Sequence, residues 1–557
     1  MGGAGPGAVS RQFQLQLKLQ AKIAPLQPKG SRMSYADTPC PDFLLTAGHL
    51  LTGADASGEM QVIDDGAVLV RDGIVAAVGT LAELRRANPG IEVRGGRDIV
   101  AMPGFSNSHH HFGLTPLMMG VPFAPLELWL PQFRKMRQVS LRLDTLYSAI
   151  EMLESGTTTV QHINSGLSGP VENWDQATGE IIAAYGEIGM RCGYCFMIRD
   201  QNLLSYEDDA KLLKALPAEV GEWLAPSMQA ARTPTSAYMD FFSRQHRHWA
   251  ERSPDMVRMN LAPANLHWCS DDSLQMIFAT ARSHGASVHM HLLETERQAR
   301  YARSRFDCSA VEHLDRLGCL GPELTLGHGN WMSRDDLDRL AGCGCMVCHN
   351  ASSGLRLGSG IAPVNEMQRR NISVALGIDQ SNICDDRDMT IEMKLVWALH
   401  RETGMWNDRL EAARILTMAT EHGAQSVGFG KITGRLEPGR QADIVLMSKT
   451  DIGRPVLDPR TPITDAVLHR GSKSAIRQVY VGGRLVVDNG RVTTIDRDAV
   501  LAEISDMLSA PMTEAERKAD RMVAAMMPAL EAFHRAHSPD AGYAPYRYNA
   551  MNDASRS

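Results

Sequence analysis

The architecture expected of this chain is α/β: a (β/α)8 TIM barrel carrying a small discontinuous β-sandwich built from both ends. Three observations point there. Residues able to hold a metal ion recur in four separated fragments, each at the end of a short apolar run: His109 and His111, His291, His328, and Asp379. Chemistry placed at the C-terminal ends of successive strands marks a barrel enzyme. Between residues 103 and 425, apolar runs alternate with helical patterns eight times, the number a closed barrel needs. Outside that stretch the same hairpin grammar appears near both chain ends.

In chain order, residues 1–40 form a leader with no acidic residue before Asp37 and several basic ones (Arg11, Lys18, Lys22, Lys29, Arg32). It lacks the arginine and serine density of a transit peptide. It is expected to be disordered, with Met33 as an alternative start. Residues 41–102 read as short strands, with a hairpin at Asp65-Gly-Ala-Val-Leu-Val-Arg-Asp72-Gly-Ile-Val-Ala-Ala-Val-Gly79 turning at Asp72-Gly73. Residues 103–429 form the barrel, with strands ending near 107–111, 157–162, 194–199, 260–264, 288–291, 324–328, 346–350 and 374–379. Residues 430–495 return to strands, and their pairing with 41–102 makes the accessory sandwich. Residues 496–557 form a helical extension and a polar tail.

Composition excludes several classes. The chain has 557 residues, 44% hydrophobic and 22% charged, with net charge −7, which is ordinary for a soluble globular protein. It shows no basic patch for nucleic acid and no apolar run long enough for a membrane span. Ten cysteines in so long a chain read as reduced thiols in a cytoplasmic enzyme. The cluster Cys343, Cys345, Cys348 reads as part of a buried strand of small residues, because neighbours on a strand face opposite ways.

His109 and His111 are two apart on a strand, so both imidazoles face the barrel mouth while His110 faces away. His289 and His291 also share a face, and spacing alone does not choose between them. Glu294 lies where the strand gives way to a loop or helix, within reach of a substrate as general acid or base. His328 follows an apolar run one unit later. Asp379 ends another such run and would be costly to bury unpaired. The donor set is nitrogen and oxygen with no obligatory thiolate. It suits one divalent ion per chain, zinc or iron, activating a water. Trp129, His162, Arg199, His267 and Trp331 are candidate substrate contacts, with Phe112, Asn265 and Asp385 near them. Arg199 could bind a carboxylate or carbonyl, or pair with Asp200.

These motifs resemble the amidohydrolase superfamily, in its branch of aminohydrolases acting on heterocycles, which includes guanine, adenosine-type and cytosine deaminases and triazine hydrolases. The resemblance rests on Pro103-Gly-Phe-Ser-Asn-Ser-His109-His-His111, His291-Leu-Leu-Glu294-Thr, Gly327-His328-Gly, His349-Asn-Ala-Ser-Ser-Gly-Leu355, Gly377-Ile-Asp379 and Leu436-Glu-Pro-Gly-Arg-Gln-Ala-Asp443. It implies metal ligands His109, His111, His291 and Asp379. It implies that Asp379 takes the proton of the attacking water, Glu294 protonates a ring nitrogen or leaving group, and His328 orients the nucleophile and stabilises the oxyanion. The lysine that bridges two metals in many relatives has no counterpart in Val257–Cys269, so one metal is expected. Two departures bear on substrate: Ser353-Gly354-Leu355 where the family often has Ser-Asn-Leu, and Gln380 where it often has glycine.

The expected activity is hydrolytic deamination of an amino-heterocycle or cyclic amidine. The alternative is cleavage of a urea, amide, carbamate or aryl-chloride bond at the same site. The expected partner is a small-molecule substrate, with neither nucleic acid nor membrane. The resemblance also implies a homo-oligomer, a dimer or higher, with 497–557 as a possible interface.

Overall fold

Residues 40–165, 171–405, 410–537 and 547–552 are described by the structure, a computed structural model. The leader expected at 1–40 therefore lies outside the described residues, except for Cys40.

The chain enters through β1 (Phe43–Ala54), β2 (Met60–Arg71), β3 (Ile74–Thr80) and β4 (Val93–Pro103). Asp72 and Gly73 both have positive φ, +48° and +79°, the mirror-image turn that matches the twist of a two-residue hairpin. Then come the barrel strands: β5 (Phe105–His110), β6 (Thr157–Asn164), β7 (Arg191–Ile198), β8 (Val257–Met259), β9 (Ala262–Pro263), β10 (Val288–Leu292), β11 (Leu324–His328), β12 (Met346–His349) and β13 (Val374–Leu376). All neighbouring pairs are parallel. The ring closes at two bridges, His110 with Asp379 and Leu261 with Val288. Strands such as β7 are buried along their whole length, because a parallel sheet has both faces covered.

The last strands are β14 (Ile444–Ser448), β15 (Ile476–Val481), β16 (Arg484–Asp488) and β17 (Arg491–Val492). They join the first four in one sheet of order β17-β16-β15-β14-β4-β1-β2-β3. The expected sandwich is thus one continuous sheet from both chain ends that curls back on itself. Ile74 bridges to Gln441, and Phe43, Leu45, Val68, Val75, Ala101, Ile444, Leu446 and Tyr480 fill one shared core. The sheet is tied to the barrel by a fully buried, two-pronged ion pair. Arg191 on β7 donates from Nε and Nη2 to the two Asp443 carboxylate oxygens, at 2.7 and 2.8 Å.

The C-terminal helices Arg497–Ser509 and Glu514–His537 follow. No helix among the described residues is long and apolar enough to cross a membrane. All ten cysteines are free, and Cys345 and Cys348 are buried at and within β12.

Candidate active site

The functional side chains converge at the C-terminal ends of β5, β10, β11 and β13. His109 fits there because two glycines make room for it. A Cβ on Gly327 would stand 2.9 Å from His109 Cε1, and one on Gly377 would stand 2.5 Å from His109 Cβ. Asn107 fixes the junction of β5 and β13, its Oδ1 accepting from the backbone N–H of His109 and of Ile378. The Asp379 N–H donates to the His109 carbonyl at 2.8 Å. His328 and Asp379 both hold positive φ, +75° and +65°. Such backbone costs of order 1–3 kcal/mol per residue and clusters at functional sites.

The imidazoles are orientated from behind. His111 Nδ1 donates to the Ile163 carbonyl at 2.8 Å and His291 Nδ1 to the Ala264 carbonyl at 3.0 Å. The Nε2 lone pairs of both rings are therefore free and lie 3.1 Å apart. His109 Nε2 is also 3.1 Å from His111 Nε2. Behind His109, its Nδ1 meets His289 Nε2 at 2.8 Å. Of the two histidines that spacing left open, His291 thus joins the Nε2 cluster and His289 buttresses His109.

Asp379 sits against this cluster, Oδ1 lying 3.2 Å from His111 Nε2 and 3.7 Å from His109 Nε2. Ser353 Oγ donates to Oδ2 at 2.5 Å, while Oδ1 is buried with no hydrogen-bond partner. Converging lone pairs beside an orphaned carboxylate oxygen are what a cation satisfies. The groups His109–His111–Asp379, His109–His291–His328 and Glu294–His328–Asp379 are each tight enough to hold a metal ion.

Electrostatics separate the two acids. Burial raises Glu294 well above the usual carboxylate range, and the charges of Asp379 and Glu127 push the same way, so it keeps its proton. Burial also acts on Asp379, but its side-chain contact with His111 and the hydrogen bond from Ser353 outweigh it and place it below the usual carboxylate range. His328 is lowered to about 4 by burial and is neutral. Asn350 Nδ2 contacts His328 Nδ1 at 3.4 Å, which leaves the His328 proton on Nε2, 3.8 Å from Glu294 Oε2.

A cavity opens above these groups. His111, His291, Glu294, His328, Asp379 and Gln380 form its floor. Of the expected substrate contacts, Phe112, Arg199 and His267 line it. Trp129 does not: it is fully buried, packing on Phe133, Val121 and Leu357. His162, on β6, is outside the lining, bonded to the Tyr185 hydroxyl and stacked on Tyr194. Trp331 donates Nε1 to the Ser359 carbonyl beneath the C-terminal tail. Asn265 and Asp385 also lie outside the lining, Asp385 accepting from Thr115 and Ser381.

The upper walls hold residues that the sequence reading did not single out: Glu127, Phe133, Arg134, Tyr206 and Trp268. Glu127 Oε1 accepts from Tyr206 Oη at 2.7 Å and from Thr295 Oγ1 at 2.9 Å, next to Glu294. Arg199 stacks over Trp268 at 4.0 Å, and Asp200 is engaged instead by Ser270 and Ser273. Burial pulls Arg134 and Arg199 down to about 10, so both remain cationic at neutral pH. Neither has a carboxylate partner among the described residues.

Comparison with known proteins gives the class. The amidohydrolase family profile matches residues 100–486, and the chain belongs to that family, enzymes that hydrolyse carbon–nitrogen bonds other than peptide bonds. A bacterial imidazolonepropionase-like composite domain matches residues 66–90. The chain is 28% identical over 471 residues to a 5-methylthioadenosine/S-adenosylhomocysteine deaminase of Syntrophobacter fumaroxidans, covering 83% of this chain and 97% of that one. It is 26% identical over 468 residues to a 5'-deoxyadenosine deaminase of Methanosarcina mazei, covering 83% and 96%. Among solved structures, a zinc-bound adenosine deaminase of Xanthomonas campestris superposes with TM-score 0.67 at 22% identity, over 87% of this chain and all of that one. The zinc-bound atrazine chlorohydrolase of Arthrobacter aurescens gives 0.70 at 21%, over 84% of this chain and all of that one.

Proposed function

We propose that this protein is an aminohydrolase that releases ammonia from an amino-substituted heterocycle of the adenosine type, using one zinc ion held by His109, His111, His291 and Asp379. The observation that carries the reading is geometric: Glu294 and Asp379 share one cavity floor with the converging Nε2 atoms of His111 and His291, and their pKa values shift in opposite directions. Opposite shifts on two acids assign an acid and a base.

A divalent ion bound there supplies the nucleophile, lowering the pKa of a water from about 15.7 to about 7–9. The remaining steps fall to side chains. Asp379, fixed at Oδ2 by Ser353, accepts the proton that water gives up. Glu294 donates its proton to the ring nitrogen beside the attacked carbon, which an amidine needs before it can lose ammonia. His328 presents Nε2–H to the oxygen that becomes negative. Arg134 and Arg199, cationic and without acid partners, suit oxygen atoms on the far end of the substrate. The names of the two sequence relatives given above, both adenosine-type deaminases, support the ring assignment.

The test is turnover by zinc-loaded protein of adenosine, 5'-deoxyadenosine, S-adenosylhomocysteine and an amino-triazine, with ammonia and ultraviolet absorbance followed together. Ammonia from a nucleoside is the expected result. Release of an alkylamine or chloride without ammonia moves the protein to the alternative class of bond, and silence on every compound overturns the reading.

A further inference from the structure

We propose that residues 497–537, together with 547–549, form a specificity-determining brace: they hold the cavity wall opposite the metal-ligand cluster and so select what a substrate carries beyond its reacting ring. The proposal rests on the cavity being the substrate site.

The wall comes from two strand-end connections, 126–134 after β5 and 203–206 after β7. These are a single helical turn, Leu126–Trp129, a 3-10 turn, Leu130–Lys135, and a loop, so what packs behind them sets their course. Behind both lies the helix Glu514–His537. Its Met522, Val523, Met526, Leu530 and Phe533 form one stripe at helical spacing. That stripe shares an apolar cluster with Leu203, Leu212, Leu216, Val220, Leu224 and Met228, with Leu128 and Leu204 at its edge. Leu203 and Leu204 are themselves cavity wall. The same helix packs on the turn Leu130–Lys135, which carries Pro131, Phe133 and Arg134 into the cavity. Arg137, just past that turn, pairs with Glu516 at 3.1 Å and donates to the Leu508 carbonyl.

Residues 547–549 contact segments that adjoin the floor residue Glu294 and the Asp379 partner Ser353. Arg547 pairs with Glu296 at 2.9 Å, two residues past Glu294, and lies over Trp331 at 5.2 Å. The Tyr548 carbonyl accepts from the Ile361 N–H at 2.7 Å, and Asn549 Nδ2 donates to the Ile361 carbonyl. Beneath this contact the Gly360 carbonyl sits flush on Gly354, where an added Cβ would meet it at 2.1 Å. That accounts for glycine at the position where the family pattern often has asparagine. The brace begins beyond the part of the chain that matches the family, which ends at residue 486.

The test uses the full-length, zinc-loaded protein with Leu530→Ala, which loosens the helix, and Arg547→Ala, a surface change that frees the tail. Hydrogen exchange reads the brace without any ligand. Leu530→Ala should speed exchange across 126–137 and 203–216 by about tenfold or more, and Arg547→Ala should do the same across 359–363. Kinetics read selectivity with adenine and adenosine as probes. KM for adenosine should rise by about tenfold in Leu530→Ala while kcat, zinc content and the KM for adenine stay put. Unchanged exchange in both variants overturns the proposal, as does an equal rise in KM for base and nucleoside. If the wild-type protein turns over neither these probes nor 5'-deoxyadenosine, S-adenosylhomocysteine or an amino-triazine, the deaminase reading fails, and the exchange result alone decides the brace.

Discussion

Glu294 keeps its proton because it is buried between two other acids and hydrogen-bonded through its backbone rather than its carboxyl. Its raised pKa leaves the acid form present through neutrality and removes it as the pH climbs. The profile of kcat/KM should therefore fall on the alkaline side. Glu294→Gln should erase that limb and lower kcat by about 10²–10⁴-fold, with zinc content unchanged. Asp379→Asn differs in kind, since it should weaken metal retention as well as turnover, which elemental analysis after dialysis reads directly. His289 tests the layer behind the ligands. With His109 Nδ1–H donating to it, His289→Ala should weaken zinc binding by about 10–100-fold. His289→Gln, which keeps an acceptor, should recover part of the loss in a chelator competition. At this scale the sequence was informative where period and position coincide. His109 and His111 on one strand face, and Asp379 after an apolar run, were visible because a strand fixes where its side chains point. Trp129 and Trp331 were not separable from true wall residues, because the course of a strand-end loop is set by distant packing.

Among the elements, the Arg191–Asp443 pair stands out because it is fully buried and crosses from β7 to the approach of β14. Removing one partner strands a charge, so Asp443→Ala should cost about 3–5 kcal/mol in urea unfolding. Its bidentate geometry means Asp443→Asn should recover little. A second buried acid, Glu392, accepts from the Ser352 N–H and Oγ. Burial pushes it up to about 7, from an ordinary 4.5, against the pull of those hydrogen bonds. Its folded pKa exceeds its unfolded one, so its contribution is full below about pH 4.5 and is lost as the pH rises through 7. That window corresponds to roughly 3 kcal/mol at most. The fall in stability between pH 5 and 8 should be smaller in Glu392→Gln than in the wild type; equal falls would remove this acid from the account. The hairpin at Asp72-Gly73 was legible because its dipeptide dictates the turn. That the two chain ends share one domain was legible from their matching hairpin grammar; the order that sets β14 against β4 was not, since no local signal encodes which strand β4 will meet.

For the whole molecule, the metal site should couple to stability, because four strand-end ligands must meet for an ion to bind. Zinc at a thousand times its Kd would add about 4 kcal/mol. Chelation should lower the apparent unfolding temperature and zinc should restore it; a Tm indifferent to chelator would argue against ligands drawn from three separate strands. The C-terminal helix Glu514–His537 turns its apolar stripe onto residues 203–228 of its own chain.

The sheet shared by both chain ends has a consequence for synthesis. β4 finds β1 almost at once, but its other neighbour, β14, lies about 340 residues further along. At roughly 5–20 residues per second, a ribosome takes tens of seconds to deliver it. Throughout that interval the nascent chain carries an open strand edge, a template for pairing with a stranger. Yield in the cell should therefore depend on how long that edge is shielded, and refolding from denaturant should lose efficiency as protein concentration rises.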